Sequence, residues 1–284
     1  MPRQPRLKGK GLYHHIYAWG NNRNAIFKDT KHYKQYLDFL KDYTSYYKIK
    51  VIAYALMKWH VHLFLFDPSG KVSELMKCLH GGYAKFFNRI LSRVGHVFGE
   101  RFNNRVVQLN NYGLWLSRYI HRQPIEAGLV KDPKDYPWIS YRVYIGLAPK
   151  GFLAPEVILD QFGRGKDAYQ RYQNFVLGVE VGPVDWDESS DLITGDEKFV
   201  KDIRGLINDK DDEEFDEDLL EVLSKRLKVK TDLLLNPTGR TMRRLRHKAF
   251  VMLQKKYGLS ATQIARIFKV STMAVVKVLK RCRY

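Results

Sequence analysis

The stretch AYALMKWHVHLFL, residues 53–65, reads as the end of one strand, a tight connection and the start of another. Strand-forming residues fill 49–56 and 60–66, and Met57–Trp59 leaves room only for a short turn between them. Within the second strand, His60 and His62 are separated by Val61. Side chains at i and i+2 project to one face of a strand, so the two imidazoles stand side by side. Such a pair suits a single metal ion, although an HxH alone is more often two surface or core histidines.

Working outward, residues 11–20 alternate as a strand does, with His15, Tyr17 and Trp19 on one face and His14, Ile16 and Ala18 on the other. Asp29 or Thr30 is placed to cap a helix in which Tyr36, Leu40, Tyr43 and Tyr47 recur at helical spacing. A second helix is expected from Val72 to Ile90, with Leu75, Leu79, Tyr83, Phe86 and Ile90 inward. Gly81 and Gly82 mark a kink or a close approach in it, and Gly95 ends it. Residues 102–108 read as a strand, and Leu114–Arg122 as a short helix ended by Pro124, because the residue before proline avoids the helical region. In that short helix Trp115, Tyr119 and Gln123 share one face, while Leu116 and Ile120 suit the sheet. The order β-α-β-β-α-β-α predicts an α+β domain of ferredoxin-like type, an antiparallel sheet carrying one layer of helices. Residues 130–150 are expected to wrap back as an irregular aromatic tail. A tyrosine above a metal site can attack a phosphodiester, but spacing alone does not choose Tyr119 among the chain's 18 tyrosines.

The 284 residues carry a formal charge of +19, which calls for a polyanionic partner. Residues 1–165 hold 26 Lys/Arg against 11 Asp/Glu, residues 166–218 hold 6 against 17, and residues 219–284 hold 17 against 2. Two basic blocks thus flank an acidic one. The expected division is a catalytic domain at 1–150, an acidic helical linker at 151–218 that includes DKDDEEFDED at 209–218, and a helical domain at 219–284. Two cysteines far apart, Cys78 and Cys282, exclude a disulfide framework and a cysteine zinc site, and suit a reducing cytoplasm. The basic start has no apolar run behind it, so it is not a secretory signal, and no stretch is long enough for a membrane span. No GxxxxGK[ST] loop is present.

Beyond Met242 the chain reads RRLRHKAFVMLQKKYGLSATQIARIFKVSTMAVVKVLKRC. Gly258 closes one helix, Ser260 caps the next, and Lys269-Val270-Ser271 is a short turn before a helix over Thr272–Lys280. This is a helix-turn-helix pattern and resembles the DNA-binding domain of the replication initiator DnaA. In that arrangement Ser271, Thr272, Met273 and Lys277 face the major groove of duplex DNA, and Arg240, Arg243, Arg244 and Arg246 meet phosphates.

Seven blocks along the first half carry a more specific likeness: MPRQPR at 1–6, HHIYAWGNNRNAIF at 14–27, AYALMKWHVHLFL at 53–65, YAKFFNR at 83–89, GHVFGERF at 95–102, YIHRQPIEAGLV at 119–130 and DYPWISY at 135–141. In that order they resemble the REP-associated tyrosine transposases of the HUH superfamily, relatives of the small single-tyrosine insertion-sequence transposases. LITGDEKFV at 192–200 is similar to the middle segment of longer members. The resemblance implies His60 and His62 as metal ligands, Gln123 as a third, Tyr119 as nucleophile, and Mg²⁺ or Mn²⁺ as cofactor. It implies cleavage and rejoining of single-stranded or hairpin DNA through a 5′-phosphotyrosine, in a bacterial, cytoplasmic, nucleoid-associated protein that is a monomer or a dimer. Arg101, Arg105, Arg118 and Arg122 lie near the site in sequence and are candidates for phosphate contacts, and Arg3 and Arg6 form a basic arm able to reach a groove. Three positions depart from the family's pattern: Trp59 replaces an asparagine, Trp19 an arginine, and Gln123 the commoner asparagine before Pro124. The two tryptophans support an alternative, a non-catalytic DNA- or RNA-binding regulator that keeps the fold. The intact set of His60, His62, Tyr119 and Gln123 opposes it.

Overall fold

A computed structural model describes residue 7, residues 9–186 and 191–205, scattered positions between 220 and 227, and residues 229–257 and 261–281. Two compact units divide near residue 207.

The first unit begins with β1 (Leu12–Trp19), α1 (Thr30–Tyr47), β2 (Lys50–Leu56), β3 (His60–Asp67), α2 (Val72–Ile90), β4 (Asn103–Val107) and α3 (Asn111–Glu126). The sheet order is β2-β3-β1-β4, all antiparallel, which is the ferredoxin-like arrangement. A fifth strand, β5 (Ile193–Thr194), extends the edge parallel to β4. Asp29 caps α1, its Oδ1 accepting from the amides of Lys31 and His32 at 2.8 and 3.2 Å. Helix α2 runs unbroken through both glycines, and a Cβ on Gly82 would come within 3.2 Å of the Tyr43 hydroxyl. Gly82 therefore marks a close approach of α1 and α2 rather than a kink, while Gly81 faces open space. Ile90, expected inside, is exposed at the end of that helix, where no layer remains to cover it.

Alternation along the strands builds two cores instead of one. Ile16, Ala18, Val61, Leu63 and Leu65 face α1 and α2. Ala55, Phe64 and Val107 face the opposite side, where Leu116 and Ile120 of α3 cover them. Helices thus lie on both faces, against the expectation of a single layer. The second layer is completed by α4 (Tyr141–Tyr144), α5 (Glu156–Leu159) and α6 (Gly165–Leu177), which bury Tyr141, Tyr144, Tyr172 and Val176. The segment expected to be a linker from residue 151 is therefore, as far as 207, part of the first unit. Helix α6 packs through Ala168, Tyr172 and Val176 and carries one acidic residue, Asp167, against Lys166 and Arg171, so the acidity of 166–218 lies beyond it in sequence. Residues 209–218 lie outside the described residues. The aromatic tail at 130–150 wraps back as expected, with Trp138 stacked on Tyr33 at 4.5 Å.

Proline does not end α3. The helix continues through Pro124 to Glu126, and Ala127 and Leu129 still donate to the carbonyls of Gln123 and Pro124. Close to a helix end the missing proline N–H removes one bond from a turn that other amides close.

The second unit holds α7 (Thr231–Leu235), α8 (Gly239–Tyr257), α9 (Ala261–Ile267) and α10 (Thr272–Arg281) around Phe250, Leu253, Ile264, Phe268, Val275 and Leu279. Between α9 and α10 the chain turns over four residues, with Lys269 left-handed at φ 50°. Ser271 begins α10, its Oγ accepting from the Ala274 amide at 3.3 Å. Gly258, Ser260 and Cys282 lie outside the described residues. Among the described residues no helix is long and apolar enough to cross a membrane.

Candidate active site

Strand β3 pairs with the central strand β1 so that His60 lies opposite Trp19 and His62 opposite Tyr17. Both histidines point to the α3 side, as their spacing predicts, with ring centroids 5.0 Å apart and planes perpendicular. Helix α3 crosses above them. It places the Tyr119 ring 5.4 Å from that of His62 and Gln123 Oε1 3.2 Å from His60 Nε2. The four residues singled out by the sequence therefore meet at one place, two from a strand and two from one face of a helix, four apart.

Two further residues complete the site. His15, on the neighbouring strand, is fully buried and shares a 3.0 Å hydrogen bond between its Nε2 and His62 Nδ1. Burial, with the Arg105 guanidinium nearby, pushes its pKa down to about 3. Burial and the adjacent His15 and His60 push His62 well below the ordinary histidine value. Both rings are thus neutral at pH 7, and a neutral imidazole is the form that ligates metals. Trp186 packs edge-on to His15 at 5.8 Å and lies 6.2 Å from the Tyr119 ring. The sequence carried a signal for His15, on the Tyr17 and Trp19 face of β1. For Trp186, distant and embedded in acidic sequence, it carried none.

Among the described residues no group of three or more His, Cys, Asp or Glu side chains is arranged to hold a metal. A metal site here depends on the Gln123 amide. The donor set fits one: His60 Nε2 and Gln123 Oε1 converge to 3.2 Å beside His62, giving two imidazoles and an amide oxygen.

The basic residues divide. Arg101 is exposed near the site in sequence. Arg105 is buried, its Nε donating to the Asp191 carbonyl at 2.9 Å and its guanidinium 5.4 Å from the Trp186 ring. Arg118 is also buried and donates to the carbonyls of Val176, Gly178 and Glu180. Arg122 pairs with Glu126 at 2.9 Å and donates to the Val176 carbonyl at 3.0 Å. Contrary to expectation, Arg105, Arg118 and Arg122 are occupied in holding the segment beyond residue 151 against β4 and α3. Arg3 and Arg6 lie outside the described residues. In the second unit Arg240, Arg243, Arg244, Ser271, Thr272, Met273 and Lys277 are all exposed, Met273 at 75%, whereas Arg246 donates to the Leu235 carbonyl at 3.3 Å.

The family described as transposase, IS200 like, matches the chain over residues 9–123, the span that holds β1 to β4, both histidines, Tyr119 and Gln123. Residues 9–123, about 40% of the chain, are thus similar to the IS200-like transposases. Two solved structures are similar to the protein. One is a REP-associated tyrosine transposase bound to a REP hairpin, 18% identical, covering 54% of this chain and 92% of its own, with a TM-score of 0.45. The other, from Deinococcus radiodurans and named for a transposase, is 19% identical, covering 43% of this chain and 97% of its own, with a TM-score of 0.31. A comparison with curated proteins returns no match. The IS200-like segment supplies every residue of the histidine, tyrosine and glutamine constellation, while Trp186 and the carbonyls held by Arg118 come from beyond it.

Proposed function

We propose that the protein is a metal-dependent endonuclease and strand transferase for single-stranded DNA, acting beside hairpins through a 5′-phosphotyrosine. The observation that carries this reading is the meeting of His60, His62, Gln123 and Tyr119 at one point of an IS200-like domain. The hairpin substrate and the REP-associated branch are supported by the seven sequence blocks between residues 1 and 141.

In this reading His60, His62 and Gln123 hold a divalent ion, Mn²⁺ or Mg²⁺. When bound, that ion polarises the oxygens of the scissile phosphate. Tyr119 then supplies the nucleophile. Its phenolic oxygen forms a bond to phosphorus and its proton passes to solvent. The bond from phosphorus to the 3′ oxygen breaks, and that oxygen leaves as a hydroxyl after taking up a proton. One phosphoester replaces another, so no nucleotide cofactor is required. Attack by a second 3′ hydroxyl on the phosphotyrosine reverses the step and joins strands. The exposure of Arg101 leaves it free to contact the strand in this reading, and that of Arg243, Arg244, Ser271, Thr272 and Lys277 supports a duplex-binding role for the second unit.

The test is an incubation with labelled hairpin DNA bearing single-stranded flanks, taken from beside the coding sequence, with Mn²⁺ or Mg²⁺. On a denaturing protein gel the wild type should carry a metal-dependent covalent label that Tyr119→Phe lacks. Tight binding without an adduct across several hairpins would replace this reading with that of a non-catalytic regulator.

A further inference from the structure

The two tryptophans at the end of the β1–β3 ladder have no place yet in this chemistry. Trp19 closes β1 opposite His60, and its ring centroid lies 4.1 Å from the imidazole, tilted by 37°. His60 is buried beneath it, yet Trp19 itself is 45% exposed. Trp59 is 40% exposed at the β2–β3 turn, its carbonyl accepting from the Gly20 amide at 2.8 Å and the Lys58 ammonium 5.1 Å from its ring. One part-open indole, that of Trp19, therefore stands over a residue of the site, and the turn that carries Trp59 and Lys58 is hydrogen-bonded through its backbone to the residue that follows Trp19.

Holding His60 in place accounts for the part of Trp19 that covers the imidazole, and for none of the part that faces solvent. Neither indole belongs to the apolar clusters of the unit. A large aromatic surface left open beside a polar site marks a ligand with an apolar face. An unpaired nucleobase has such a face, and single strands bind proteins by stacking bases on aromatic side chains. The geometry points to Trp19 as the stacking platform for the unpaired base flanking the phosphate that Tyr119 attacks. This inference rests on the single-strand reading above. Stacking tolerates any base, because every base offers a π-face, so the platform seats the strand without dictating its sequence.

An abasic scan tests it. In full-length protein carrying Tyr119→Phe, so that nothing is cleaved, binding is measured to hairpins with single-stranded flanks in which one nucleotide at a time lacks its base. One abasic position, next to the bond that the wild type cuts, should weaken binding about tenfold, the scale of one stacked base. Adding Trp19→Leu should weaken the intact strand by a similar factor and erase that positional penalty, while Trp19→Phe should keep most of both. Mn²⁺ affinity, read by electron paramagnetic resonance, should be the same with and without Trp19→Leu. An abasic penalty as large in the Trp19→Leu protein as in its parent overturns the platform, and a fall in Mn²⁺ affinity alongside it would assign Trp19 to His60 alone. If no flanked strand binds even the parent, the single-strand reading itself fails.

Discussion

An imidazole ligates a metal only through a nitrogen that carries no proton, so whatever fixes the proton fixes the ligand. The hydrogen bond between His15 Nε2 and His62 Nδ1 does this for His62. If Nδ1 donates to His15, the other nitrogen of His62 is left with a lone pair for a metal. Partners of this kind commonly contribute 10- to 100-fold to metal affinity. His15→Leu is therefore expected to lower Mn²⁺ affinity by about tenfold or more, and His15→Gln, which keeps a polar atom near Nε2, by less. Equilibrium dialysis against Mn²⁺ measures both, and equal affinities in all three proteins would reduce His15 to a packing residue. Arginine shows the opposite limit of residue-level reading. Arg101 and Arg118 are the same letter in neighbouring stretches of sequence, yet one is exposed and the other buried with its donors on three carbonyls. Only the packing of a distant segment separates them.

Local rules made the first half of the fold legible, because each element there carries its own signal. Asp29 caps α1, a three-residue turn links β2 to β3, and alternation puts His60 and His62 on one face. The helical spacing of Tyr119 and Gln123 then brings them to those histidines. What stayed hidden depends on contacts between distant residues. The bond that Pro124 removes is made up by later amides, so α3 continues past it. Helix α6 is read as part of an acidic linker because the acidic residues at 180–218 dominate the composition of that stretch, although α6 itself holds only Asp167 and packs through Ala168, Tyr172 and Val176. The helix and the chain just after it bring the carbonyls of Val176, Gly178 and Glu180 to Arg118 on α3, with Gly182 so close to Trp115 that a Cβ would come within 2.8 Å. Hydrogen bonds to a charged group are each of order 1.5–3 kcal/mol. Arg118→Met should therefore destabilise the first unit by about 3 kcal/mol and slow adduct formation, and Arg118→Lys should not rescue it, since an ammonium lacks the planar fork. Urea unfolding followed by tryptophan fluorescence measures this, whereas Arg101→Ala should leave the same midpoint in place while weakening the strand.

Across the whole molecule the two basic blocks of the sequence fall in two separate units. All five tryptophans, at 19, 59, 115, 138 and 186, lie in the first unit, so intrinsic fluorescence reports on that unit alone. The second unit is basic and has its own core, with Arg243, Arg244 and the start of α10 exposed. Exposed arginines that meet phosphates release counterions, and each phosphate contact contributes about 0.9 to the slope of log affinity against log salt. If the second unit holds duplex DNA, replacing Arg243 and Arg244 together with alanine should weaken duplex binding by the full-length protein and lower that slope by about 2. If the strand is held on the first unit, the same double variant should leave single-strand binding unchanged, as followed by quenching of the tryptophans. Anisotropy titrations with labelled duplex at several salt concentrations, run beside fluorescence titrations with a flanked hairpin, separate the two. A loss of both affinities in parallel would mean that one continuous DNA molecule is gripped by both units at once, and the basic second unit would then belong to the hairpin site rather than to a separate duplex.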